Sequence, residues 1–358
     1  MILVLIATSC KYSVQQVCAE SEKHIGEERR YARGEMMNSK LLVPSAKHFR
    51  YERLAPGVYA AIHTDVGWGV CNAGIVDLGD HTLVFDSGLT PRAARELRTA
   101  ATVLTKRAPS YLVVSHYHND HIRGSQVFRG AVEVGTTLTR KLIATKGRTE
   151  LKWDWDNAAS RAAEMKRLAR SKDEIEREFG AFFLPYWQGI LASLPEIKLR
   201  LPEMTFDNRL TFHGSKRVAQ LIAFDKGHCE SDCVLFLPQD RILFCGDLLF
   251  VRCHPYLGHG DPVSLLSILD RLAGMKARVF VPGHGPLGQK KHVEELQSYI
   301  RTLSGQARRV LRKGGTEEDA ASQPAPDICA DWILARLFYE SNMRHVFRQL
   351  AQKKGRQT

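Results

Sequence analysis

The sequence predicts an α/β fold with a helical insertion, and three observations support this prediction. Short β-rich runs follow one another from Gly57, with Gly or Asp between them. A strand, a helix and a second strand then lead into a cluster of histidines that begins after Ser115. The β-rich pattern returns after a helical stretch at about residues 137–195. Strands are therefore expected in two groups, one on each side of the insertion.

The first group begins with three runs that are typical of consecutive antiparallel strands. Proline is favoured in the first turn of a helix, so Pro91 is expected to open a helix that continues to about Lys106. A buried strand should follow and deliver the histidine cluster at its carboxyl end. The strands are predicted at residues 58–62, 73–76, 82–85 and 111–114.

The same kinds of sequence pattern predict the helices of the insertion and the strands of the second group. Residues 158–179 are rich in Arg, Glu, Lys and Ala and are predicted to be helical. Strands are then expected at residues 210–212, 218–224, 233–237, 242–245 and 279–281, with helices at 262–272, 290–312 and 332–352. A Gly-Gly pair and a Ser-Gln-Pro-Ala-Pro segment precede the last helix.

The bulk composition allows a full hydrophobic core in one large domain with appendages or in two smaller ones. The chain has 358 residues, of which 44% are hydrophobic, and a formal net charge of +12. This charge concerns association rather than chemistry, and no separate RNA-binding module is recognisable, so nucleic acid is not expected as a partner. No run approaches the roughly 18 apolar residues that a membrane-spanning helix needs.

The cysteines indicate reduced thiols and hence a cytoplasmic protein. The eight residues are scattered and include no CxxC pair. The apolar opening from Met1 to Cys10 lacks a basic region before it and is very short for a signal peptide. A buried strand, a spurious start and a degraded or truncated signal are three alternatives for it.

The strongest chemical signal is His116-Tyr117-His118-Asn119-Asp120-His121, which places three imidazoles and one carboxylate within six residues. Imidazole and carboxylate both suit zinc. If residues 116 and 118 point one way and residues 120 and 121 another, this loop can serve two neighbouring cations.

Three later fragments each follow a strand-like run and are expected to place one further ligand in a turn. They are Lys226-Gly227-His228, Gly246-Asp247 and Pro282-Gly283-His284-Gly285. Together with the first motif they resemble the metallo-β-lactamase superfamily, whose HxHxDHxxG signature is matched from His116 to Gly124. The resemblance covers about residues 55–300.

This resemblance implies a four-layer αββα sandwich of two mixed β-sheets and a dinuclear metal centre. His116, His118 and His228 would hold the first metal, Asp120, His121 and His284 the second, and Asp247 would bridge them. Zinc is the expected metal, with iron or manganese as alternatives. We expect residues 1–50 to be an N-terminal extension, residues 51–305 the main domain with its insertion at 137–195, and residues 306–358 a C-terminal helical tail.

The chemistry follows from such ligands. Two divalent ions about 3.5 to 4 Å apart can share a water and lower its pKa, so that a bridging hydroxide attacks a carbonyl or phosphoryl centre. Asp120 is the expected catalytic residue, because it can orient the hydroxide and carry a proton to the leaving group. Asp86, at the end of an early strand, is either a partner that fixes the ligand loop or an ordinary turn carboxylate.

Two other regions are weaker candidates for a place in the functional site. Arg252, His254, Tyr256 and His259 are expected in a loop over the site, either contacting substrate or packing the loop. The aromatic residues of the insertion either roof an apolar pocket or pack its helices. They are Trp153, Trp155, Phe182, Phe183, Tyr186 and Trp187.

The function predicted first is hydrolysis of an ester-like bond in a small molecule: a lactone, thioester, ester or β-lactam. The resemblance makes a true β-lactamase less favoured, because those enzymes generally have another residue at the position of Asp247. An iron-dependent dioxygenase of sulfur compounds is the alternative, and a nucleic-acid-processing phosphodiesterase ranks after it. Homo-oligomerisation is left open.

Overall fold

Two mixed β-sheets and flanking helices form the protein, as a computed structural model describes it for residues 46–332 and 335–355. The prediction for Met1 to Cys10 lies outside these residues. Within them, no helix is long and apolar enough to cross a membrane.

The larger sheet contains seven strands in chain order. Its first four strands pair antiparallel, and the last four pair parallel, with β4 common to both parts. The strands are β1 (Phe49–Ala55), β2 (Val58–His63), β3 (Ala73–Asp77), β4 (Thr82–Phe85), β5 (Tyr111–Val113), β6 (Val132–Thr136) and β7 (Met204–Phe206).

The smaller sheet contains five strands in the order β12-β11-β10-β9-β8. Only the pair of β11 and β12 is parallel. The strands are β8 (Arg209–His213), β9 (Val218–Asp225), β10 (Ser231–Leu237), β11 (Ile242–Phe250) and β12 (Val279–His284).

Nine α-helices belong to the described residues. They are α1 (Pro91–Thr105), α2 (Asn119–Ile122), α3 (Thr137–Leu142), α4 (Arg148–Leu168), α5 (Glu174–Ser193), α6 (Pro262–Gly274), α7 (Lys290–Arg312), α8 (Glu317–Ala321) and α9 (Ala335–Gly355). A π-helical turn, Ile143–Gly147, joins α3 to α4, and short 3₁₀ turns occur at Ser125–Val127, Leu194–Glu196 and Asp327–Cys329.

The alternation of side chains along the strands separates two hydrophobic cores. On β11, Phe244 points between the sheets, where it meets Phe85 and Val113 of the larger sheet. Its neighbours Leu243 and Cys245 point to the opposite face, against the helices α6, α7 and α9. Helix α1 packs on the outer side of the larger sheet. These four layers confirm the predicted αββα sandwich.

Helices α1 and α6 begin by the same physical rule. Thr90 accepts a hydrogen bond from the backbone N–H of Ala93, and Asp261 accepts two from the first turn of α6. Proline follows each cap, at Pro91 and Pro262, where its missing N–H leaves no helical bond unmade.

The insertion differs from the continuous helical stretch predicted for residues 158–179. Helix α4 ends at Leu168, and Asp173 caps the new helix α5 by accepting a bond from the backbone N–H of Glu176. Gly180 allows α5 to lie close to the end of α4, because a Cβ there would lie 2.2 Å from the backbone nitrogen of Ala169. The structure also contains β1, β6 and β7, which the sequence patterns did not predict.

Glu133 on β6 provides a stability test that depends on pH. Its carboxyl group is fully buried, 3.4 Å from the guanidinium of Arg200, and burial raises its pKa from 4.5 to about 7. The folded state therefore holds a proton that the unfolded state releases above pH 4.5. The contribution of protonated Glu133 to folding stability is therefore present below pH 4.5 and is lost as pH rises to about 7.

We expect Glu133→Gln to remove this dependence. The unfolding free energy of the wild type minus that of the variant should fall by roughly 3 kcal/mol between pH 4.5 and 8. Denaturant titrations of the metal-free proteins measure this difference, with Glu164→Gln on α4 as the matched surface control. A difference that stays constant with pH would contradict the assignment.

Candidate metal centre

The seven predicted ligands lie at the same edge of the two sheets. His116 and His118 follow β5, and Asp120 and His121 lie on the short helix α2. His228 lies between β9 and β10. The expectation that each later ligand lies in a turn was wrong for two residues, since Asp247 lies within β11 and His284 ends β12. The register between these strands is irregular beside both residues, which explains why a strand can present them to the site.

The first group of side chains contains His116, His118, His228 and Asp247, whose nearest ligand atoms all lie within 4.8 Å of one another. Nδ1 of His118 is 3.0 Å from Nε2 of His228. Oδ2 of Asp247 is 3.3 Å from the same His228 nitrogen and 3.9 Å from Nε2 of His116.

The second group contains Asp120, His121 and His284, within the same 4.8 Å limit. Oδ2 of Asp120 is 3.3 Å from Nε2 of His284 and 3.6 Å from Nε2 of His121. Asp247 reaches this group as well, because its Oδ1 is 3.1 Å from Nε2 of His121 and its Oδ2 is 3.4 Å from Nε2 of His284. The Asp247 carboxylate therefore lies between the two groups.

These residues fit divalent metal ions. Nε2 of His116 is fully buried and has no hydrogen-bond partner in the described part of the chain. A buried polar atom without a partner is costly unless something else satisfies it. The donor set of five imidazoles and two carboxylates is the kind that binds zinc and other borderline ions.

The electrostatics keep both carboxylates ionised at neutral pH. Burial alone would raise the pKa of Asp120, but His121 and His284 lower it to about 2. The same balance of burial against His284, His121 and His228 holds the pKa of Asp247 well below its usual range. Burial meanwhile holds the pKa of His116 well below 6.5, so that its ring stays neutral and able to donate a lone pair.

Asp86 is a buried partner of the ligand loop rather than an ordinary turn carboxylate. Its Oδ1 accepts a hydrogen bond from the backbone N–H of Ser115, at 2.7 Å, and its Oδ2 is 2.9 Å from Nδ1 of His121. Gly124 completes this packing, because a Cβ there would lie 2.2 Å from the carbonyl oxygen of Ser87. Asp86 thus fixes both the start of the loop and one of its imidazoles.

Sequence reasoning missed the contacts between the insertion and the ligand loop. Asn119 donates hydrogen bonds to Glu150 on α4, at 3.1 Å, and to the hydroxyl of Tyr186 on α5, at 2.8 Å. Arg123, which is also buried, pairs with Asp154 on α4. The position of Arg123, two residues after His121 in the signature, was the available signal for a buried ion pair.

We call the loop from Val251 to Asp261 the site loop. Some of its side chains that were predicted to lie over the site face the ligands, and another points away from them. His259 and Tyr256 face the ligands, with Nδ1 of His259 2.9 Å from Nε2 of His118 and the ring of Tyr256 6.1 Å from that of His118. His254 points away, into a buried cluster with Tyr299 and Trp332.

The cysteines of the described chain are all free thiols, and most are buried. Cys71 donates a hydrogen bond to the backbone carbonyl of Asp120, at 2.9 Å, and burial raises the pKa of this thiol to about 12. It therefore packs beneath the ligand loop as a neutral thiol.

The chain matches a known protein family. The family model described as "Metallo-beta-lactamase superfamily" matches residues 66–284. A linear primary-alkylsulfatase from Pseudomonas sp. (strain ATCC 19151) is 23% identical over 296 residues. That match covers 78% of this chain and 54% of the relative, so the chain spans about half the length of that protein.

Solved structures of two metallo-β-lactamases are similar in fold. The enzyme from Hirschia baltica is 14% identical with a TM-score of 0.51, and the match covers 71% of this chain and 98% of that one. The enzyme FIM-1 from Pseudomonas aeruginosa is 15% identical with a TM-score of 0.52, covering 72% and 97%.

Asp86→Asn tests whether Asp86 controls the proton on His121. The amide can still accept a bond from Ser115 N–H, but its NH₂ group would face Nδ1 of His121 as a donor. Nδ1 must then accept, which moves the ring proton to Nε2, the atom that faces Asp120 and Asp247. We expect zinc affinity to fall about 10–100-fold, as for other partners of metal ligands.

Competition with a chromophoric chelator measures this affinity in Asp86→Asn and Asp86→Ala. The unfolding temperature of Asp86→Asn should be closer to that of the wild type than the unfolding temperature of Asp86→Ala is. Asp86→Asn should nevertheless bind zinc no more tightly than Asp86→Ala does. Wild-type affinity in Asp86→Asn would refute the role of Asp86 in setting the tautomer.

Proposed function

The chain belongs to the metallo-β-lactamase superfamily, and on that premise we propose that it is a dinuclear metallohydrolase that cleaves an ester-like bond of a small molecule. The observation that carries this proposal is the meeting of seven side chains in two adjoining groups that share Asp247. Membership of the family supports hydrolase chemistry, and we further propose two metal ions and an ester-like substrate.

The proposed assignment gives His116, His118 and His228 to the first metal and Asp120, His121 and His284 to the second, with Asp247 between them. Zinc is the proposed ion, with iron or manganese as alternatives. When bound, such a pair supplies an acidified water as nucleophile and Lewis-acid polarisation of the substrate oxygen. The remaining chemistry falls to the side chains of the chain itself.

Asp120 is the proposed proton carrier. Its Oδ2 faces His284 and His121, so Oδ1 is the atom available to take a proton from the attacking water and pass it to the leaving group. Its side chain is 13% exposed, and that of His284 is 20%, whereas His116, His121, His228 and Asp247 are 4% exposed or less. His118 is also partly exposed, but its outer ring nitrogen faces His259 of the site loop at 2.9 Å. Substrate is therefore proposed to enter on the side of Asp120 and His284.

His284 packs against other rings at this opening. The ring of Phe250 stacks on that of His284 with centroids 5.1 Å apart, and His63 lies 6.1 Å from His284. Two carboxylates offset only half of the charge of two divalent ions, so the centre favours an electron-rich oxygen. A carboxylic ester, thioester, lactone or β-lactam meets these conditions.

Sulfate esters form a second substrate class, which one specific observation favours. The curated relative is named a linear primary-alkylsulfatase, and a sulfate monoester joins an anionic oxygen group to an apolar chain. We propose alkyl sulfates alongside carboxylic esters as substrates for testing. Hydrolysis would form a bond from the water oxygen to the sulfur or to the ester carbon, break the S–O or C–O bond at that atom, and release an alcohol, sulfate and one proton.

Iron-dependent oxidation of sulfur compounds remains the alternative from another reaction class. It differs in a directly measurable way, because it consumes dioxygen, whereas hydrolysis proceeds equally well under argon. Oxygen uptake in the presence of thiols therefore separates the two functions.

A substrate panel tests the proposal. We expect hydrolysis of at least one ester-like class, complete loss of activity after removal of metal by a chelator, and recovery when zinc is returned. Asp247→Ala should lower kcat/KM by at least about 100-fold, because it removes a shared ligand rather than an outer partner. The matched control, Asp270→Ala on the surface of α6, should keep wild-type activity.

The panel should contain p-nitrophenyl esters, thioesters, lactones, a β-lactam and alkyl sulfates of increasing chain length. Product formation that survives both chelation and Asp247→Ala would contradict metal-dependent hydrolysis. Oxygen uptake with thiols, without hydrolysis of any class, would favour the dioxygenase instead.

A further inference from the structure

Each of the two ring nitrogens of His118 has a close partner. Nδ1 lies 3.0 Å from Nε2 of His228, within the first group of ligands. Nε2, on the other side of the ring, lies 2.9 Å from Nδ1 of His259. The imidazole of His118 is thus held between its own group and the site loop.

The chemistry of imidazole fixes the direction of this second contact. A ring nitrogen that offers its lone pair to a metal leaves the proton on the other nitrogen. Nε2 of His118 must then donate, and Nδ1 of His259 must accept. Carboxylates and carbonyls usually accept this bond from a metal-binding histidine, whereas in this chain an imidazole occupies that position.

The C-terminal helix α9 holds the site loop on both sides of His259. Asn342 donates a hydrogen bond to the carbonyl of Pro255, at 2.8 Å, and accepts one from the N–H of Leu257, at 3.3 Å. After His259, Nε2 of His345 is 3.2 Å from the carbonyl of Gly260, and Lys353 pairs with Asp261 at 2.7 Å.

Burial makes the Asn342 contacts strong anchors. Its side chain is 4% exposed, and the hydroxyl of Tyr299 on α7 is 3.1 Å from the same amide nitrogen. A buried amide with satisfied partners is costly to move, because every lost bond leaves an unpaired group. Helix α9 lies beyond residues 66–284, which the family model matches.

We propose that His259 is a positioning residue for the first metal, accepting the Nε2–H bond of His118, and that helix α9 holds His259 in place through the site loop. This inference rests on the proposed function, because it assumes that the first group binds a metal. It gives the C-terminal helix a part in the site, although no residue of that helix is a ligand.

The test compares His259→Ala with His259→Asn in metal-free protein titrated with zinc against a chromophoric chelator. Loss of the acceptor in His259→Ala should weaken one of the two zinc ions about 10–100-fold. The amide oxygen of Asn can occupy the position of Nδ1, so His259→Asn should recover most of that affinity. Tyr117→Phe is the matched control, because it removes the other group near this nitrogen, a hydroxyl at 3.2 Å, and leaves the His118 bond intact.

Two further variants test the role of α9. Asn342→Leu should weaken the same zinc ion, and combining it with His259→Ala should add little, because both changes act through one bond. His345→Leu removes the contact to Gly260 at the edge of the site loop. It replaces Asn342→Leu in this test if Asn342→Leu does not fold. Circular dichroism of the metal-free variants establishes that each is folded.

The outcomes are distinguishable. If the wild type binds no zinc, iron or manganese, the proposed function fails. If the wild type binds two zinc ions and His259→Ala binds both as tightly, the positioning role is wrong. Equal losses in His259→Ala and His259→Asn would refute the acceptor role, and wild-type affinity in a folded α9 variant would refute the part assigned to the helix.

Discussion

The carboxylate of Asp247 is buried among imidazoles, and much of the site depends on making room for it. Its oxygens lie 3.1 to 3.4 Å from nitrogens of His121, His228 and His284. Two glycines allow this approach. A Cβ on Gly283 would lie 1.9 Å from Oδ1 of Asp247, and one on Gly246 would lie 2.8 Å from the Cβ of Ser115. The Gly-Asp and Gly-His pairs in the sequence therefore have a steric origin, because neighbouring strands must bring their ligands almost into contact.

Partners outside the ligand groups orient the imidazoles, and they come from separate parts of the chain. Asp86 at the end of β4 contacts His121, whereas the site loop supplies His259 to His118. The helical insertion contacts Asn119, between these ligands. Such partners govern the tautomer and direction of each ring, which ligand identity alone does not determine. Asp120 and His284 remain partly exposed beside these oriented rings.

The sequence predicts local features of this protein better than contacts between residues that lie far apart in the chain. Closely spaced histidines after a buried strand, and glycine beside each later ligand, are local signals that carry the family resemblance. This resemblance implied the αββα fold, which is confirmed, and the two groups of side chains that the structure brings together. The short strands β6 and β7 and the charged strand β1 carry weak patterns, and they form because neighbouring strands offer hydrogen bonds. Asp247 lies in a strand rather than a turn, at a point where the register between β11 and β12 is irregular. Contacts between residues far apart in the chain, such as Asn342 with Pro255, leave no local pattern at all.

The most direct test of the central claim is to count metal ions in the protein as purified, without added metal. Elemental analysis of the wild type and of Asp247→Ala gives zinc, iron and manganese per chain. The account predicts close to two divalent ions per wild-type chain, zinc foremost, and clearly fewer in the variant, because Asp247 faces both groups of ligands. A wild-type chain that binds no metal, or a variant that binds as much as the wild type, would contradict it.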